Sequence, residues 1–316
     1  MDETAYSLIV VSPHLDDAAL SCGGEVAARV ARGERVLCLT VFSGGEGPAV
    51  SAGKGFEAFA DMASRRGEDE RAMARLGCEH RWLGFDEAVA RDRRYTSPLR
   101  LISRPLPADA PLAARLTDLL RAAADRSPAA ELFFPLGVGG HVDHRILFEV
   151  SRALDPRRVR YYEEIPYAFI PLALELRLRS IGAAASTPLP DSTAALSSRE
   201  LARRAAEGIL SVPAISAGIA AWQIPVLRAL VALVVARHRA FPRRVAAAEL
   251  TARAELVDVS AQADTKLSAV EEYRSQMPVL FASSDACRAS MFDYARRVGG
   301  APGQLLERRW SLASRT

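Results

Sequence analysis

Cysteine is scarce and scattered. The four thiols, Cys22, Cys38, Cys78 and Cys287, stand far apart with no Cys-x-x-Cys pair. That excludes a disulfide framework and a cysteine zinc site. Lysine is scarcer: Lys54 and Lys266 are the only two among 41 basic residues. A net charge of +3 is too small to argue for a nucleic-acid partner, and none is expected. No 18 consecutive residues are all apolar, so no simple membrane span is read. The opening MDETAYSLIVVSPH is acidic and lacks the basic region and cleavage pattern of a secretory signal, so a cytoplasmic location is expected. No Gly-x-Gly-x-x-Gly follows the first apolar run and no Gly-x-Ser-x-Gly elbow occurs, which disfavours a dinucleotide enzyme and a serine hydrolase. Gly47 to Lys54 fails as a P-loop, because five residues separate Gly47 from Gly53 and Gly55 stands where Ser or Thr is needed. That Gly-rich loop is read instead as a lid bordering a pocket.

What is present is ordinary for a globular chain: 316 residues, 49% apolar and 25% charged. Such a chain builds a core without staples, and residues 1–316 read as one domain. Short apolar runs alternate with helical periodicity. Strands are expected at 7–12, 35–42, 81–84, 131–135 and 158–163, and helices at 16–31, 57–76, 111–124 and 144–154. Continuous apolar strands between amphipathic helices imply a doubly wound, mostly parallel, Rossmann-like α/β sheet. Residues 172–255 are rich in Ala, Leu and Arg and read as a helical insertion or subdomain, with Ser197 capping one helix. Within it, 209–236 is strongly apolar and Arg237, His238, Arg239, Arg243 and Arg244 follow. Interior helices or packing on a partner are the first expectation; peripheral membrane contact through 209–244 is the alternative.

Chemistry gathers at two motifs. Pro13-His14-Leu15-Asp16-Asp17 follows the first strand, and His141-Val142-Asp143-His144 follows the strand at 131–135 and a Gly-rich turn. Three of the chain's five His fall in them. Ligands of open α/β sheets bind beyond the carboxyl ends of the strands, so two distant motifs would converge on one crevice. Asp16 and Asp17 alone would equally suit a helix N-terminus. Together with the imidazoles they suit a metal. His14, Asp17 and His144 would supply three ligands of a catalytic Zn²⁺ site and leave a position for water. Asp16 would then be the general base beside that water. His141 would stabilise the oxyanion or protonate the leaving amine, and Asp143 would hold one of the imidazoles in its useful tautomer.

Strand-PHLDD-helix together with HVDHR resembles the PIG-L/LmbE-like family of zinc-dependent N-deacetylases. The family's usual first motif is His-Pro-Asp-Asp-Glu; here Leu15 replaces Pro and Ala18 replaces Glu. The resemblance extends to Arg65-x-x-Glu68-x-x-x-Ala72-x-x-x-Leu76-Gly77, to Leu83-Gly84-Phe85-Asp86, to Tyr161–Tyr167, and to Lys266, Tyr273, Ser275 and Gln276. It implies His14, Asp17 and His144 as metal ligands, Asp16 as base, His141 as catalytic imidazole and Asp143 as its support. Arg65 is either a sugar contact or a surface residue. Asp86 is either an acceptor for a substrate hydroxyl or a turn former. The activity so implied is removal of an N-acetyl group from an amino sugar of a glycoconjugate or glycosylated metabolite, a small-molecule or glycan substrate. A metal amidase acting on a non-sugar amide and a non-catalytic glycan- or lipid-glycan-binding protein are the alternatives.

Overall fold

The computed structural model describes residues 5–44, 61–240 and 248–314, with only the backbone of Pro98, Leu99 and Ala214. The expected lid at 43–55, the start of the expected helix at 57, and positions 241–244 of the apolar, basic segment fall partly or wholly outside the described residues.

Eight strands form one sheet: β1 (Leu8–Ser12), β2 (Val36–Thr40), β3 (Glu79–Trp82), β4 (Glu131–Pro135), β5 (Val159–Tyr162), β6 (Ala183–Ala185), β7 (Leu250–Asp258) and β8 (Leu306–Ser314). Their order is β3-β2-β1-β4-β5-β8-β7-β6. The first five are parallel, whereas β8 runs antiparallel to both β5 and β7. Side chains alternate between two cores. Ile9, Val11, Leu37 and Leu39 enter one, and Leu8, Val10, Val36 and Cys38 enter the other. That two-sided burial explains why the strands read as unbroken apolar runs.

Helix α1 (Asp17–Ala31) follows β1 and carries a break at Cys22, whose φ is −138°. Beyond the break, two N–H groups of the helix face the start of β8. Glu307 accepts both, from Gly24 and Glu25 at 2.8 Å each, and is itself held by Lys266 at 2.7 Å. A Cβ on Gly24 would lie 2.6 Å from Val259, so a side chain has no room there. This accounts for a glycine inside a helix that propensity disfavours.

The expected helical insertion differs from what is observed. Residues 172–255 contain β6 and the first part of β7, which extend the main sheet through β8. Ala-rich sequence favours helix locally, but pairing along β7 decides the outcome at 183–185. The helices Ser198–Leu210 and Ile224–Ala240 form a hairpin with an apolar cluster of its own, separate from the two cores of the sheet. The second is not an interior helix; Val231 and Val235 are buried, while much of its remaining surface is exposed.

The strand order reverses between β1 and β4. β2 and β3 lie on one side, and β5 on the other. Both sequence motifs emerge there, beyond the carboxyl ends of β1 and β4, at the switch point where open α/β sheets form their ligand crevice.

Candidate metal centre

β1 ends at Ser12, whose hydroxyl donates to the His14 carbonyl at 2.6 Å and accepts the Ala18 N–H at 3.1 Å. These two bonds fold the PHLDD turn and start α1. The His14 N–H donates to Asp17 Oδ2 at 2.9 Å. After β4, the turn Gly137–Gly140 places all three glycines at positive φ. His141 then caps the helix Val142–Ser151, its Nδ1 accepting the Asp143 N–H at 3.2 Å. The helix begins two residues earlier than the hydrophobic periodicity predicts. Its cap and first turn therefore carry the whole His-x-Asp-His motif.

Three donor atoms meet. Asp17 Oδ2 lies 3.1 Å from His14 Nδ1 and 3.4 Å from His144 Nε2, and those two nitrogens are 3.4 Å apart. Bonds of about 2.0–2.1 Å to a tetrahedral zinc would separate its ligand atoms by roughly 3.3–3.4 Å. The triangle fits that requirement. His141 also brings a ring nitrogen within 4.8 Å of those of His14 and His144. The tighter His14–Asp17–His144 set fits a tetrahedral face better, and it leaves His141 at the rim.

Each imidazole of the triangle is backed by a carboxylate. Asp143 Oδ2 lies 3.2 Å from His14 Nε2, and Glu164 Oε1 lies 3.1 Å from His144 Nδ1. A carboxylate claims the N–H, so the opposite nitrogen turns its lone pair inward. The Asp143 side chain thus supports His14, not His141 as the resemblance implies; only its backbone N–H reaches His141. Asp143 is itself fixed by the Ala88 N–H at 2.9 Å and by Arg91 Nη2 at 2.7 Å. Glu164 also accepts from the N–H groups of Gly137 and Val138 at 2.5 and 2.9 Å, which ties His144 to the glycine turn.

The adjacent carboxylates are driven apart. Burial and then the Asp17 charge raise Asp16 to about 6, although Arg65 and His14 pull it down. Burial alone would raise Asp17, but His144 and His14 outweigh it and hold Asp17 at about 2. Asp16 caps α1 without any side-chain hydrogen bond to it, so a helix-capping role does not explain its carboxylate. Burial, with the neighbouring His14, pushes His141 down to about 3. It is neutral, and because Nδ1 accepts a hydrogen bond its proton sits on Nε2. Burial lowers His14, yet its bonds to Asp143 and Asp17 leave it well above the usual value.

Arg65 is inside the protein, not on its surface. It is 2% exposed, pairs with Glu87 at 2.6 Å, and its charge bears on both Asp16 and Asp17. Asp86 is exposed, and its backbone carbonyl, rather than its carboxylate, accepts from Arg91 at 2.9 Å. The inward acid is the next residue, Glu87. Leu15 and Ala18, the two departures from the usual family motif, are both buried. Sequence reasoning missed Glu164, Glu87 and Arg91. Glu164 had a usable signal, since it lies directly beyond β5, neighbour of β4.

Residues 9–154 match the family model described as GlcNAc-PI de-N-acetylase, PIG-L. This segment is a PIG-L-family domain. The 2'-N-acetylparomamine deacetylase of Streptomyces fradiae is 36% identical over 168 residues, 51% of this chain and 57% of that protein. The chain therefore matches little more than half the length of this relative. The protein of the same description from Niallia circulans is 26% identical over 192 residues, 53% of this chain and 70% of its own. A deacetylase of teicoplanin biosynthesis, crystallised as a bog complex, shares the fold of this chain. Its TM-score is 0.64 at 20% identity, with 98% of each chain covered.

Proposed function

We propose that this chain is a zinc-dependent N-deacetylase acting on an acetylated amino sugar of a glycosylated metabolite. The observation that carries the reading is the triangle of His14 Nδ1, Asp17 Oδ2 and His144 Nε2, with a carboxylate behind each imidazole. The names of the relatives, deacetylases of 2'-N-acetylparomamine, support the substrate class. His14, Asp17 and His144 hold the ion. When bound, zinc supplies Lewis acidity toward an amide carbonyl and makes water more acidic near neutral pH.

The remaining roles belong to the protein's own groups. Asp16, desolvated and raised toward neutrality, takes the proton from the attacking water. His141 is neutral and donates from Nε2 to the carbonyl oxygen as negative charge gathers there. The proton on Asp16 then passes to the departing nitrogen, leaving acetate and a free amine. Asp143 and Glu164 keep the two ligand imidazoles in the tautomer that faces the ion. Arg65 lies next to Asp16 and Asp17 and restrains their repulsion; any sugar contact from it is made from inside the crevice. The test is acetate release from 2'-N-acetylparomamine and from N-acetylglucosamine glycosides, with and without a chelator. Full turnover by metal-free protein would overturn the mechanism.

A further inference from the structure

The helices Ser198–Leu210 and Ile224–Ala240 pack along an apolar seam of Leu201, Ala205, Val231 and Val235, with Leu172 beside it. Their outer faces are opposite in character. The first helix presents paired charges, Arg203 with Glu200 and Glu207, and Arg204 with Glu200. The second presents Trp222, Val226, Leu230 and Leu233 in one row, and Arg237 continues that row at the end of the helix. Trp222 is 73% and Leu233 63% exposed. Five of the eight large apolar side chains exposed among the described residues lie between Trp222 and Val234.

Ala221–Ala240 has the length and hydropathy of a membrane span. Spanning would tear Val231 and Val235 from the hairpin seam. A helix lying in the plane of a lipid surface satisfies both faces at once: the seam stays packed and the outer row enters the acyl boundary. Charge selects the occupant. No Asp or Glu occurs between Glu207 and Glu249, while Arg228 and Arg237 are exposed. A second copy seated on this face would set basic helix against basic helix with no acid to pair. Anionic headgroups supply the missing sign, and Trp and Arg at the two ends suit a polar–apolar boundary.

We propose that the 221–240 helix is an interfacial docking face for an anionic phospholipid bilayer. It would hold the crevice near the lipid surface, since Leu172 joins the hairpin core and Tyr167 packs on Gly139 in the turn before His141. The test is flotation of the whole chain with vesicles of phosphatidylcholine containing phosphatidylglycerol. Binding is expected, weaker with phosphatidylcholine alone and weaker in high salt. The double variant Leu230→Ser, Leu233→Ser should bind roughly tenfold less or weaker still, with circular dichroism and zinc affinity unchanged because both side chains are exposed. Arg237→Glu should weaken binding to the anionic vesicles selectively. Absence of flotation, or flotation undiminished in the double variant, would overturn the proposal. So would a dimer in solution that the double variant dissolves, because the row would then be a self-interface.

Discussion

Glu164→Gln separates the support of His144 as the proposed metal ligand from the support of the fold. Glu164 is fully buried, and one oxygen faces His144 Nδ1 and the Gly137 N–H while the other accepts from Val138. Glutamine keeps the shape but has one oxygen for these three donors. If that oxygen stays toward His144, the amide NH₂ meets the Val138 N–H and a buried donor is left unsatisfied, at a cost of about 1–3 kcal/mol. If the amide flips, its NH₂ points at His144 Nδ1 and drives the imidazole proton to Nε2, the nitrogen that must stay free for the ion. Loss of such a carboxylate behind a ligand histidine typically weakens metal binding by about 10–100-fold, or about 1.4–2.7 kcal/mol. Chelator-competition titration of zinc should therefore show that loss, with a Tm lower by a few degrees. Glu163→Gln is the matched control. Glu163 faces away from the crevice, accepting from Arg308, Trp310 and Tyr294. Its replacement should lower Tm and leave zinc affinity unchanged. Wild-type affinity in Glu164→Gln, or equal loss in both variants, would refute the reasoning.

Two further outcomes follow from the geometry. A base works when deprotonated, so activity should fall as pH falls through the Asp16 pKa. Burial sets that value near 6, and a bound cation lowers it, so the acid limb of kcat/KM should lie at or below about 6; a limb above 7 would exclude Asp16 as the base. Gly24→Ala would push a methyl group to 2.6 Å from Val259 and 2.9 Å from Glu307. Overpacking of this kind costs about 1–3 kcal/mol, visible as a lower urea midpoint with zinc affinity preserved.

Four of the five parallel strands were legible because they are buried on both faces, and the helices between them because they are periodic; β3 carries no buried residue, and it lies at Glu79–Trp82, two residues before the expected 81–84. The two motifs were legible because each stands at a strand end, and the switch between β1 and β4 brings them together. What escaped was long-range pairing. Ala183–Ala185 carries no strand signal of its own; it becomes a strand by pairing with β7. Arg91 lies on a four-residue helix with little local pattern, yet it bridges Asp109 and Asp143 at 2.9 and 2.7 Å. Asp86 and Glu87 are adjacent acids in a loop, and no periodicity tells which of them turns inward.

The charges of the crevice argue for a divalent cation independently of the triangle. Asp16, Asp17, Glu87, Asp143 and Glu164 bear on the His14–His144 cluster, whereas the arginines that act on these five acids are Arg65, Arg91 and Arg177, which leaves the acids in surplus. Metal-free protein can offset the surplus only by holding protons. That is the direction seen: burial lowers both His14 and His144, but the surrounding carboxylates raise them above the ordinary imidazole value. Asp16 is raised as well. A divalent ion must displace the protons from His14 and His144, because a ligand nitrogen needs its lone pair. Protons and metal therefore compete, and the sign follows: affinity rises with pH through the raised histidine range and levels off above it. Calorimetric titrations of zinc into metal-free protein near pH 7, repeated in buffers of different ionisation enthalpy, should report net proton release. Asp143→Asn removes the carboxylate that raises His14, so less proton release is expected from that variant even as its affinity falls. Proton release equal to wild type would mean that the carboxylates do not set the protonation of the ligand histidines.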